Sequence, residues 1–140
     1  KLRTWLRPSD LVARLGGDEF TILLDGMDGP EDATRVAERI EAGLRDSLKI
    51  GDREVFVSVS IGIALSSTGY DRPEDVIRDA DLALYRAKAA GRGRYALFDI
   101  EMHARAMEHL QLEGKKPTAI ADFLRGYSDF KGAVLGDKVF

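Results

Sequence analysis

Cysteine is absent from this chain of 140 residues. That excludes a disulfide framework and a thiolate metal site, and it fits a reducing compartment, so a cytoplasmic location is the expectation. Histidine is scarce: His103 and His109 stand six apart, which does not set two ligands on one helical face, so they read as solvated rather than zinc-binding. Charge of one sign is lacking too. With 21 Lys and Arg against 24 Asp and Glu, the formal charge is -3 and the cations are interleaved with acids; no basic field exists to hold nucleic acid, which is excluded as a partner class. No apolar run approaches the roughly 20 residues of a bilayer span and no signal peptide opens the chain, so no membrane contact is expected of this segment. The single tryptophan, Trp5, reads as a core or interface anchor rather than a base-stacking platform. An initiator Met is missing as well, and the chain is expected to be a fragment or processed piece.

What is present is enough apolar content, 44%, for one core. Two strand-like runs, Asp10 to Leu15 and Phe20 to Leu24, flank Gly16-Gly17-Asp18-Glu19-Phe20. Glycines between strands permit a tight turn, and the two acids that follow would be displayed on it. Such a hairpin either holds a hard cation with its carboxylates or is a surface turn with solvated acids. After an Asp25–Gly29 loop, Pro30 with Glu31 and Asp32 opens a helix whose buried stripe is Ala33, Val36, Ala37, Ile40 and Leu44. Gly51-Asp52 turns the chain. From Val55 to Leu65 strict alternation predicts one strand, with small residues Ser58, Ser60, Gly62 and Ala64 on the face that a helix approaches. A second helix is expected from Pro73, capped by Asp71, with stripe Val76, Ala80, Ala83, Leu84 and Ala87 and a stop at Gly91. Arg94 to Phe98 reads as the last strand. The fold class is therefore α/β, a layered sheet with flanking helices.

Lys88 and Arg92 sit at the end of that second helix, where cations either meet an anionic ligand or complement the helix dipole. Near the start, Arg7-Pro8-Ser9-Asp10 pairs a guanidinium with a carboxylate one turn apart, suited to phosphate and guanine edges or to a surface ion pair. Residues 99–113 read as a further helix. The tail 114–140, with a short helix expected over 118–125 and with Asp122 and Asp129 unassigned, matches nothing recognisable.

These motifs, in this order over residues 1–98, resemble the GGDEF domains, diguanylate cyclases that condense two GTP into cyclic di-GMP. The resemblance implies a nucleotide-cyclase-like fold lacking its N-terminal strand, with its metal-binding Asp, and the helix whose Phe-Lys and Asn-Asp pattern holds guanine. It implies Mg²⁺ or Mn²⁺ held by Asp18 and Glu19, with Glu19 a ligand or catalytic carboxylate. Gly16 and Gly17 would let the nucleotide approach, while Lys88 and Arg92 would reach its terminal phosphates. An inhibitory product site would comprise Arg7, Asp10 and Arg39. Where the family often has Asn after the Gly-Arg of this helix end, Gly93 stands here. A homodimer would be needed for synthesis, and residues 99–113 resemble the helix leading to an EAL phosphodiesterase domain. The competing expectation is a cyclic di-GMP-binding or GTP-sensing regulatory module for such a domain. With part of the site missing, the chain alone is expected to be inactive, with an unpaired sheet edge.

Overall fold

The computed structural model describes residues 1–46, 48–99 and 132–139, with 48–50 and 132–139 described as backbone. A 3₁₀ turn at Leu2–Trp5 leads to β1 (Leu11–Gly16) and β2 (Glu19–Asp25), then α1 (Pro30–Arg45), β3 (Leu48–Ile50), β4 (Arg53–Val55), β5 (Val59–Leu65), α2 (Pro73–Ala89), β6 (Tyr95–Leu97) and β7 (Gly132–Val139). Five strands form one sheet in the order β1-β2-β7-β5-β6, while β3 and β4 make a separate hairpin. Helices cover both faces. Ile22 and Leu24 of β2 join Val59, Ile61 and Ile63 of β5 beneath the α1 stripe; Leu23 and Ala64, from the opposite faces of the same strands, pack with Val76, Ile77, Ala80 and Ala83 of α2. Alternation along each strand thus serves two cores at once.

Both helices begin as their sequences dictate, with Pro in the first turn and two acids behind it, Glu31 and Asp32 in α1 and Glu74 and Asp75 in α2. The predicted α1 stripe is the set of residues that α1 buries. All five stripe residues of α2 are buried, joined by Ile77, Asp79 and Leu82. Asp79 is 3% exposed and is paired with Arg78 Nε at 3.0 Å, an arrangement that apolar periodicity does not reveal. Gly62 allows α2 to lie against β5: a Cβ there would fall 2.0 Å from the Ala80 carbonyl oxygen and 2.4 Å from the Leu84 nitrogen.

Four sequence expectations change. The strand expected over Val55 to Leu65 is broken, because Arg53–Val55 pairs with Leu48–Ile50 around a turn at Gly51 (φ +62°), and Phe56, 77% exposed, lies outside any ladder. Asp71 does not cap α2; Arg72 holds that position in extended backbone without a side-chain cap. Lys1 to Pro8, which read in the sequence as the last turns of a helix, contain instead the 3₁₀ turn Leu2–Trp5, anchored by Trp5 against Gly43 of α1. Most consequential is the sheet edge expected to stand unpaired: β7, from the tail without an assigned role, pairs antiparallel with both β2 and β5. The helices expected over 99–113 and 118–125 lie outside the described residues, apart from Asp99.

The collision at Gly62 involves helix backbone, which cannot swing aside as a side-chain tip can. Gly62→Ala should therefore cost about 1–3 kcal/mol of stability or more, read as a lowered urea midpoint. At Glu41, burial raises the carboxyl pKa, Arg45 opposes it and Glu38 adds to it, while Oε1 is buried and has no hydrogen-bond partner among the described residues. A carboxyl whose folded pKa is raised contributes stability at low pH that is lost as pH rises through the folded value. Glu41→Gln should accordingly be more stable than the parent at neutral pH, and the difference should shrink on acidification through the carboxylate range, as followed by thermal melts across pH.

Candidate active site

The hairpin between β1 and β2 is built around an irregularity. Leu11 to Arg14 pair in register with Leu23 to Phe20, and then the ladder slips so that Gly16 faces Glu19. Gly17, at φ +55°, occupies a conformation that costs glycine little. Arg14 locks the turn: its Nε donates to the Gly17 carbonyl at 2.9 Å, its Nη2 donates to the same oxygen, and its guanidinium lies 5.6 Å from the centroid of the Phe20 ring. Asp18 is thereby presented at the exposed tip, and Glu19 sits half-buried at the first position of β2. Sequence reading missed Arg14: counting outward from Gly16 and Glu19 would set Leu15 opposite Phe20, and only the slip in the ladder brings Arg14 there.

A second feature converges on the same end of the sheet. Glu19 and Ser60 flank the same β7 residue, Lys138, in register, which sets their backbones two strand spacings apart, roughly 9–10 Å. Ser60 is 1% exposed and its Oγ accepts the Gly93 N–H at 3.3 Å. Through that bond β5 fixes the Gly91-Arg92-Gly93 loop, in which all three residues have positive φ, 114°, 59° and 59°. The φ of +59° at position 93 suits Gly for the same reason that it suits Asn. Arg92 itself takes a conformation uncommon for a residue with a side chain, its N–H bonded to the Ala87 carbonyl at 3.2 Å. Lys88, half-buried in the last turn of α2, accepts the Gly91 N–H on its carbonyl at 3.2 Å. The structure thus brings the Gly16–Glu19 turn and the Lys88–Arg92 segment to one end of the sheet. Ser60 was legible only as a small residue on the helix-facing side of its strand.

Arg7 and Asp10 are elsewhere. They precede β1, whose first residue pairs with Leu23, so the length of the strand, roughly 20 Å, separates them from the Gly16-Gly17 turn. The Asp10 carboxylate accepts the Arg7 backbone N–H at 2.7 Å, and the Asp10 N–H bonds the Arg7 carbonyl at 3.0 Å, closing a tight turn. No ion pair joins the two side chains among the described residues. Arg39 is exposed on α1, one helical turn before the Gly43 on which Trp5 rests, so the segment carrying Arg7 is laid against that part of α1.

For a divalent cation, the donor chemistry fits: carboxylate oxygens suit Mg²⁺, which is held through one or two of them together with substrate phosphates and water. Asp18 and Glu19 are the residues that would hold it. Among the described residues no group of three or more acidic, His or Cys side chains is assembled for a metal.

The family model described as "Diguanylate cyclase, GGDEF domain" matches residues 1–94. The chain is 39% identical over 112 residues to the bifunctional diguanylate cyclase/cyclic di-GMP phosphodiesterase MucR of Pseudomonas aeruginosa, covering 80% of this chain and 16% of MucR. It is 38% identical over 120 residues to the diguanylate cyclase TpbB of the same species, covering 85% of this chain and 28% of TpbB. It thus spans less than a third of either relative. Among solved structures, the GGDEF domain of TpbB aligns with a TM-score of 0.71 at 40% identity, over 76% of this chain and 62% of that one. With a family model over more than half of its length and these likenesses, the chain belongs to the GGDEF family of diguanylate cyclase domains.

Proposed function

We propose that this chain is part of a diguanylate cyclase domain that condenses two GTP into cyclic di-GMP. The observation that carries the reading is the meeting, at one end of the sheet, of the Asp18–Glu19 turn with the Lys88–Arg92 segment. A triphosphate needs cations, and its approach to the turn needs a backbone free of side chains, which Gly16 and Gly17 provide. Lys88 would offer a point charge to the terminal phosphates and Arg92 a two-pronged donor. The bound cation, Mg²⁺ or Mn²⁺, would offset charge on the α-phosphate and the leaving pyrophosphate.

In the reaction a ribose 3′-oxygen forms a bond to the α-phosphorus of the facing GTP, the bond from that phosphorus to the β-phosphate oxygen breaks, and pyrophosphate departs. Glu19 would receive the hydroxyl proton or hold the cation. The attack occurs twice with roles exchanged, so two subunits must face each other, each holding one GTP. Arg7, Asp10 and Arg39 form the proposed inhibitory product site, at the opposite end of β1 from the chemistry. A second reading, a nucleotide-sensing or cyclic di-GMP-binding module beside an EAL phosphodiesterase, is favoured by one observation: MucR, at 39% identity, is named for both activities.

With no third acidic side chain grouped with Asp18 and Glu19 among the described residues, this chain incubated with GTP and Mg²⁺ should yield no cyclic di-GMP above background by chromatography. GTP binding should nevertheless be measurable in the presence of Mg²⁺, and Glu19→Gln or Lys88→Ala should weaken it by roughly tenfold, about 1.4 kcal/mol each. Unchanged affinity in both variants would overturn the assignment of the turn and the α2 end.

Cyclic di-GMP itself should bind at the other end of β1. Arg7→Ala should weaken that complex by about 1.5–3 kcal/mol, the scale for a hydrogen bond to a charged group, and added salt should weaken it as well. Lys88→Ala should leave it unchanged. Calorimetric titration decides this: equal affinity for the parent and Arg7→Ala reduces Arg7-Pro8-Ser9-Asp10 to a structural turn.

A further inference from the structure

One buried hydroxyl stands where packing alone calls for none. Along β5 the row turned toward α2 is Ser60, Gly62 and Ala64, and at the last two positions the demand is for little or no side chain. Ser60 is 1% exposed, and Ala would fill its place at nearly the same volume. A hydroxyl buried this deeply is accounted for by the bond it makes. Its partner is the Gly93 N–H, 33 residues along the chain, which donates to Ser60 Oγ at 3.3 Å.

What that bond holds is the loop carrying Arg92. Successive N–H groups at the end of α2 all have acceptors: Ala90 donates to the Arg86 carbonyl, Gly91 to that of Lys88, Arg92 to that of Ala87, and Gly93 to Ser60. The first three bonds curl the loop back onto its own helix. Only the fourth, followed by the bond from the Ile61 N–H to the Arg94 carbonyl at 3.0 Å, ties it to β5. Each of these N–H groups is already committed, so a phosphate arriving at this end of the sheet would meet the loop through side chains. Arg92 lies at φ 59° between two glycines that have no side chains with which to brace it, so the direction in which it leaves the backbone depends on the anchors of the loop.

We infer that Ser60 is a positioning residue for the triphosphate: its Oγ, acting through the Gly93 N–H, sets the backbone from which Arg92 reaches the terminal phosphates. Being buried, Ser60 acts through the loop and not on the nucleotide. The inference rests on the cyclase reading, in which Lys88 and Arg92 hold those phosphates.

The test is calorimetric titration of the full chain with GTP in the presence of Mg²⁺, for the parent, Ser60→Ala, Arg92→Ala and the double variant. Arg92→Ala should weaken binding about tenfold and Ser60→Ala at least about threefold, while the double variant should fall within about twofold of Arg92→Ala, because two changes acting through one contact do not add. The loss in Ser60→Ala should shrink below about twofold at about 0.5 M salt, since the contact displaced is one between charges and is screened. A change that merely loosened the fold would not depend on salt in this way. No binding by the parent, or equal binding by the parent and Arg92→Ala, overturns the cyclase reading and the inference with it. A loss in Arg92→Ala with none in Ser60→Ala, additive losses, or a loss in Ser60→Ala that salt leaves untouched overturns the inference alone. Should Ser60→Ala fail to fold, hydrogen exchange in the parent decides: saturating GTP with Mg²⁺ should slow exchange of the Gly93 amide at least about fivefold, and an amide indifferent to the nucleotide refutes the role of Ser60.

Discussion

The arrangement of the candidate site depends on one constraint, that β2 and β5 start at the same end of a single sheet with one strand between them. From that follows the position of every group at the site. Glu19 opens β2, Ser60 is the second residue of β5, and each stands across from the same position of β7. The Gly93 N–H is held by Ser60 Oγ, so the end of α2 is indexed to β5 and, through the sheet, to the hairpin. Backbone hydrogen bonds set these spacings to within a few tenths of an ångström, while of the side chains carried on them Asp18 is exposed and Glu19 and Lys88 are half-buried. The scaffold positions the site, and the side chains supply its chemistry.

The sheet also explains why so much glycine is concentrated near the site. Gly17 turns the hairpin, Gly62 lets α2 descend onto β5, and Gly91 and Gly93 carry the positive φ values of the loop that holds Arg92. These glycines answer different demands. The φ values at Gly17 and Gly93 are conformational needs that Asn meets in part, while Gly62 answers a purely spatial one, since any Cβ would enter the backbone of α2. Arg92 is the exception, a residue with a side chain at φ 59° between two glycines. Its backbone is braced by bonds from its own N–H to Ala87 and from Arg94 Nε to its carbonyl.

Legibility in the sequence followed periodicity and local turn chemistry. The α1 stripe, the α2 stripe and the two strands of the hairpin were all readable because each is a repeated pattern with a glycine or proline stop at its ends. Val55 to Leu65 misled, since alternation cannot distinguish one long strand from a short strand followed by a break; the turn at Gly51 recruits Arg53–Val55 into a separate ladder. Asp79 and Ser60 were hidden because a buried polar residue is recognised by its partner, Arg78 or Gly93, and partners are a property of the fold. β7 was invisible for a different reason. Two glycines and an Asp-Lys pair argue against a central strand, and it takes that place through long-range pairing that overrides local preference.

At the other end of β1, the turn at Arg7 and Asp10 already satisfies itself. The Asp10 carboxylate accepts the Arg7 N–H at 2.7 Å, so a guanine that draws the carboxylate away must replace a bond that holds the turn closed. One carboxylate oxygen can keep the backbone bond while the other accepts from a ligand, because an ionised carboxyl has about four lone-pair sites. The turn then remains formed and fixes the backbone from which Arg7 extends, which lowers the ordering cost of binding. With Trp5 seated on Gly43, the same turn is tethered to α1 and not only to β1. A ligand gripping both Arg7 and Arg39 would therefore bridge two elements already in contact, rigidifying the end of the domain remote from the hairpin without displacing the strand that joins them.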